Sequence, residues 1–201
     1  MKIRNIKQLQ EIYGYAKGRS KSKQLSRLEQ HSINFIGNSP FVVISTANSD
    51  GQLDCSPRGG QKGFVLIPDN KALLIPDSKG NNRLDSFVNI LSNPHVGCLF
   101  LIPGIDETLR VNGKAELLTD DELIAKFDLK MKKPTCFIKI SIEEVFLHCA
   151  KALMRSSLWS PENAIPRSSL PAMGQMINDQ LGDPTEPESH EAMLERYKKD
   201  L

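Results

Sequence analysis

No segment of this 201-residue chain approaches the roughly 18 consecutive apolar residues needed to span a bilayer. Its opening, MKIRNIKQLQEIYGY, lacks the apolar run of about 7 residues that a secretory signal requires. A cytoplasmic protein with no membrane partner is expected. Cysteine is scarce and scattered: Cys55, Cys98, Cys136 and Cys149 form no CxxC pair, and no histidine pair stands at zinc-ligand spacing. The thiols read as structural or incidental, and no metal is expected. An excess of charge of one sign is also missing. A formal net charge of +2 is too small for a general polyanion binder, so no nucleic-acid partner is expected and any phosphate chemistry must be local. Nor does the spacing reveal a Ser-His-Asp or Cys-His arrangement.

What is present is ordinary for a globular chain: 39% hydrophobic and 25% charged residues, enough for one core that hides roughly 70% of the unfolded surface. Leu25, Leu28, Ser32, Phe35 and Ile36 fall at helical spacing before Gly37, which predicts an amphipathic helix over 22–36. The period then changes. FVVISTA (41–47), QLDCS (52–56), GFVLI (63–67) and KALLI (71–75) read as short strands separated by NSDG and PDN turns, an antiparallel meander. Leu84, Phe87, Val88 and Leu91 give an i, i+3, i+4, i+7 stripe for a short helix from about Asn82 to the SNP at 92–94. HVGCLFLI (95–102), TLRVNGKAELL (108–118) and CFIKISI (136–142) resume the strands. TDDE (119–122) is a capping box opening a helix to about Lys130. The expectation is a mainly β protein whose six strands close into a small barrel, because closure removes exposed edges. After Trp159 the chain holds Pro161, Pro166, Pro171, Pro184 and Pro187, with helical fragments near 171–181 and 189–201. Three parts are expected: 1–38 a helical segment, 39–150 the barrel domain and 151–201 a C-terminal extension.

Three stretches carry chemistry. In DCSPRGGQKGF (54–64), Gly59, Gly60 and Gly63 permit close approach of another group while Arg58 and Lys62 supply cations. This is an anion site or a flexible loop with solvated charges. In IPDSKGNNRLDSF (75–87), Gly80, Asn81, Asn82 and Arg83 stand where a helix N-terminus offers unpaired N–H groups. This is a second anion-binding element, with Arg58 and Arg83 converging on one phosphate, or an ordinary asparagine cap. In HCAKALMRSSLW (148–159), Lys151, Arg155 and Trp159 fall at i, i+4, i+8, one face of a helix. A solvated face accounts for the cations better than for the indole.

These runs, with NPHVGCLFLIPGIDETLRVNGKA between the last two, resemble the pyridoxamine 5′-phosphate oxidase-related proteins with the FMN-binding split-barrel fold, in the branch with an SPRG signature and an HCAKA-type segment. The resemblance covers about residues 35–160. It implies a homodimer of six-stranded antiparallel Greek-key split barrels with flanking helices and FMN at the subunit interface. It further implies that Arg58 and nearby Ser56 bind the phosphate together with Asn82 and Arg83, that backbone groups at Ile75 and Pro76 pass the flavin ring, and that Thr108 faces its edge. Lys151, Arg155 and Trp159 would reach FMN from the other subunit. The segment SSLWSPENAIPRSSL departs from the Arg-Leu ending with which the true oxidase holds its substrate, so vitamin B6 oxidation is not implied.

Two readings of function follow. One is an FMN-dependent oxidoreductase, the flavin carrying electrons from a reductant to a small organic acceptor or oxygen. The other is a non-catalytic protein that stores or senses FMN, or another ligand such as haem, for which His31, His95, His148 and His190 are the available imidazoles.

Overall fold

The computed structural model describes residues 2–77, 80–119, 122 and 134–199. Seven strands form a single antiparallel sheet: β1 Phe41–Ala47, β2 Leu53–Gly59, β3 Leu66–Asp69, β4 Ala72–Asp77, β5 His95–Ile102, β6 Ile105–Leu118 and β7 Cys136–His148, in the order β2-β1-β5-β6-β7-β4-β3. The fold is mainly β. Each of the seven segments read in the sequence overlaps a strand, so the expected count of six was one short; GFVLI does so only at Leu66 and Ile67, its strand running on through Pro68 and Asp69, which the sequence placed in a turn. The expected closure is also corrected. β2 and β3 are the two edges of an open sheet, with no ladder between them among the described residues. Each edge strand contains a proline, Pro57 in β2 and Pro68 in β3, where a missing N–H costs no inner ladder bond; Pro76 of β4 lies beyond the last pair of that strand with β3, Leu74 with Leu66. A side-chain pair, Arg58 of β2 with Asp77 of β4, reaches from one edge strand to the strand beside the other edge.

The core follows from the period-2 pattern. In β1, Val42, Ile44 and Thr46 turn inward, and in β5, Val96, Cys98 and Phe100 do the same. All but Thr46 pack with Ile36, Leu73, Ile75, Leu109, Val111, Ile138, Ile140 and Val145 in one cluster. The long β6–β7 ladder carries a bulge at Asn112/Gly113. A Cβ at Gly113 would lie 2.1 Å from the carbonyl oxygen of Ser141, so only glycine fits this bulge.

The helices depart from local periodicity where distant partners intervene. α1 Ile6–Tyr13, α2 Arg19–Ser22 and α3 Gln30–Asn38 precede the sheet. The helix expected over 22–36 begins only at Gln30, because Leu25 exchanges backbone hydrogen bonds with Val145 of β7 at 3.0 and 2.8 Å and the Leu28 N–H donates to the Asn70 carbonyl. Glu29 caps α3, its carboxylate accepting from the N–H groups of His31 and Ser32. Burial opposes the charge on Glu29, but hydrogen bonds from Ser32 and His31 outweigh it and hold the carboxyl below its ordinary pKa.

α4 spans Asp85–Ser92, starting three residues later than the sequence stripe suggests. Its inward residues are Ser86, Asn89 and Ile90, whereas Val88 and Leu91 of the apolar stripe are 61% and 78% exposed. Two polar bonds set this rotation: Ser86 Oγ donates to Asp54 at 2.5 Å and Asn89 Nδ2 donates to the Thr46 hydroxyl at 3.0 Å. The capping box and helix expected over 119–130 fall outside the described residues apart from 119 and 122. Beyond β7 lie α5 Lys151–Ser156, short 3-10 turns at Pro161–Asn163 and Arg167–Ser169, α6 Met173–Leu181 and α7 His190–Lys198.

Candidate functional site

Arg58 stands at the open seam of the sheet. It lies opposite Val42, as Ser56 lies opposite Ile44, and directly opposed residues share a face, so both point to the core side. There Arg58 Nη1 donates to Asp77 at 2.5 Å, the two side chains being 20% and 16% exposed. The guanidinium stands 5.5 Å from the centre of the Phe87 ring, within cation–π range. Its Nε is buried with no hydrogen-bond partner among the described residues. A charged donor left in that state costs more than the roughly 1–3 kcal/mol of a neutral one, so the seam holds a cation with unspent donor capacity. Ile75 and Pro76, both buried, lead β4 to Asp77. Beside them, burial first and Asp77 second push the Cys136 thiol pKa up, with Arg58 opposing.

The glycine loop after Arg58 is shaped by packing as well as by any ligand. A Cβ at Gly60 would meet the Phe64 side chain at 2.7 Å, and Phe64 is a buried core residue. Lys62 is exposed. The stretch 80–83 is not the cap of α4: the N-cap is Leu84, with no side-chain capping bond, and Asn82 adopts a left-handed φ of 59° two residues before it. The Arg83 side chain is 79% exposed and pairs with Asp85 at 2.5 Å, which raises its pKa through that hydrogen bond. The two arginines read together in the sequence are thus tied to different carboxylates.

A cavity of about 450 Å³ opens on the other face. Ser45, opposite Cys55 and Gly97 in its two ladders, belongs to the face that Val42 and Ile44 do not use. With Gly97 it lines the cavity alongside Thr108, Arg110, Asn112 and His148, and α5 contributes Ala152 and Leu153. Thr108, a buried residue, pairs with His148 across β6 and β7. Asn112 Nδ2 donates to Glu144, and the Arg110 guanidinium stands 5.2 Å from the Phe146 ring. Lys151 and Arg155 are exposed on α5. Trp159 does not continue their helical face: Ser157 turns left-handed at φ 47° and ends the helix, and the indole Nε1 donates to the Ile105 carbonyl at 2.9 Å, folding the chain back onto β6.

Residues 28–149 match the family model described as pyridoxamine 5′-phosphate oxidase. The chain belongs to the pyridoxamine 5′-phosphate oxidase family. Among solved structures this family member is similar to HupZ of Group A Streptococcus, with 20% identity over 60% of this chain and 93% of that one and a TM-score of 0.48. It is similar to a candidate pyridoxamine 5′-phosphate oxidase from Lactobacillus delbrueckii, with 25% identity over 62% and 98% of the two chains and a TM-score of 0.47. An FMN-binding protein from Syntrophomonas wolfei gives 10% identity over 57% and 81%, with a TM-score of 0.45. No curated protein matches the chain.

Several residues of this family member escaped the sequence reading. Asp77, Phe87 and Glu144 lie on other elements, which only the fold brings to Arg58 and to the Thr108 strand, whereas Arg110 and Asn112 follow Thr108 at i+2 and i+4 on β6 and share its face by alternation. One signal was available: Asp77 is a carboxylate at the end of the buried strand ALLIPD, the sign opposite to Arg58.

Proposed function

We propose that this chain is a cytoplasmic FMN-binding flavoprotein, acting as a homodimer and an oxidoreductase between a reductant and a small organic acceptor or oxygen. The observation that carries the reading is the Arg58 guanidinium, part-buried at the seam with a donor unpartnered, in a member of this family. A terminal phosphate dianion suits such a donor, because charge-assisted hydrogen bonds to guanidinium are strong and directional. Ser56 would supply a hydroxyl beside it, and Asn82, Arg83 and Lys62 would complete the anion-binding edge. Backbone groups at Ile75 and Pro76 would flank the ring.

The two site clusters lie on opposite faces of the sheet, which supports a site shared between copies: the seam of one copy would take the phosphate while Thr108, Lys151, Arg155 and Trp159 of another approach the ring. Bound FMN would supply the electron transfer itself. The residues of this chain would hold the phosphate, orient the ring and limit access of water. Heat-released ligand should chromatograph as FMN, and the holoprotein should sediment as two copies and bleach anaerobically with NADH or NADPH. Recovery of FAD, or a monomer that binds FMN tightly, overturns the reading. His148, alone of the four histidines, lines the cavity, which favours haem as the second reading. A Soret band lost in His148→Ala, with no flavin absorbance, would establish it.

A further inference from the structure

The small net charge conceals a strong division along the chain. Residues 2–27 contain eight lysines and arginines and one acid, Glu11, so a chain of net +2 carries +7 there and −5 elsewhere. Over 173–199, which holds α6 and α7, the balance reverses: six aspartates and glutamates stand against Arg196, Lys198 and Lys199, a net charge of −3. Each segment also presents an uncovered apolar stripe. On α1, Ile6, Leu9 and Tyr13 fall at i, i+3, i+7, and no residue of the helix is buried. On α6, Met173, Ile177 and Leu181 fall at i, i+4, i+8, all 44% exposed or more.

The acidic segment is a preformed platform. A Cβ at Gly174 would meet the Glu188 carbonyl oxygen at 2.6 Å, so α6 packs tightly against the chain leading into α7. Asn178 Nδ2 donates to the Thr185 carbonyl at 2.7 Å, and Arg196 donates to both carboxylate oxygens of Glu188. Within one copy neither stripe is covered, yet the two match in apolar character and are opposite in charge.

We propose that the basic N-terminal arm of one copy docks its Ile6–Leu9–Tyr13 stripe onto the acidic α6–α7 platform of a second copy of this chain. Two-fold symmetry makes the contact reciprocal, giving two clasps per dimer. Apolar burial would drive the contact, while the charges steer encounter and exclude a like-charged arm-to-arm pairing. The clasp goes beyond the flavin reading and does not require FMN.

The test uses the full chain without and with FMN, mixing ¹⁴N- and ¹⁵N-labelled protein and cross-linking amines to carboxylates at zero length. Arm–tail peptides of mixed isotope, Lys7 to Asp179 or Glu186 among them, are expected in both conditions. Single-isotope peptides only, or none, overturn the clasp while leaving flavin binding to be judged by its own absorbance. Arg4→Glu with Lys7→Glu, and separately Asp179→Lys with Glu186→Lys, should weaken self-association at least about tenfold at low salt, and mixing the two variants should restore it to within about threefold. These side chains are exposed, so folding is retained; reduced association without rescue on mixing also overturns the proposal. Capture of the wild type by phosphatidylserine vesicles, lost in the arm variant and accompanied by no mixed-isotope peptide, would assign the arm to a lipid surface instead.

Discussion

The seam around Arg58 and the cavity around Thr108 are built from the same sheet and solve different physical problems. At the seam a cation is held in a part-buried position by one carboxylate and one aromatic ring, with a donor left over. In the cavity the polar groups are spread around about 450 Å³, and Asn112 is already engaged by Glu144. The first arrangement suits a compact anion. The second leaves room for a larger group among weaker polar contacts. The difference teaches that strand alternation alone sets a charged pair and an open polar cavity on opposite faces of one sheet.

Arg58→Ala should break the seam most severely. A hydrogen bond to a charged group contributes roughly 1.5–3 kcal/mol, so FMN affinity should fall by about 10- to 150-fold while weak riboflavin binding changes little. Fluorescence titration with both ligands measures the ratio, and equal losses would mean that Arg58 serves the ring or the fold. Asp77→Asn removes the partner of a part-buried cation, and apo stability should drop by about 1–3 kcal/mol in urea unfolding. Added FMN should recover much of that loss, since the phosphate would replace the carboxylate; a loss that FMN leaves untouched would detach Asp77 from the anion site.

Thr108→Val probes the cavity. Losing one neutral hydrogen bond of about 0.5–1.5 kcal/mol should weaken FMN and riboflavin alike, by about 2- to 13-fold. A selective effect on FMN would contradict the division between faces. The smallest effects are expected at solvated cations. Arg83→Ala should weaken FMN less than Arg58→Ala does, because its side chain is largely exposed and already paired with Asp85. Lys71→Ala, in the turn before β4, should change affinity by less than about threefold, its charge being screened by solvent. An Arg83 variant as damaged as the Arg58 variant would show that the loop closes over the ligand.

Much of the architecture was legible from local pattern. β1 and β5 match their sequence segments residue for residue, because short runs rich in β-branched and aromatic residues, bounded by turn signals, favour an extended chain. The family was legible as well, since SPRG, GNNR and HCAKA lie in order along the chain. The helices were less so. Val88 and Leu91 of the α4 stripe face outward because two polar bonds, a part-buried one to Asp54 and a buried one to Thr46, set the rotation of the helix, and periodicity does not weigh side-chain hydrogen bonds against half-covered apolar groups. α3 starts late because Leu25 and Leu28 found backbone partners more than forty residues away.

By itself the sequence determined which segments extend, where glycine must turn the chain and which cations stand near glycine, because these depend on residues within a few positions of one another. Only the tertiary structure decided that β2 and β3 are unpaired edges, that Arg58 meets Asp77, and that Thr108 and Arg58 belong to opposite faces. Those facts depend on strand order. Strand order is set by which apolar faces bury together and which edges tolerate proline, a choice made across the whole sheet at once.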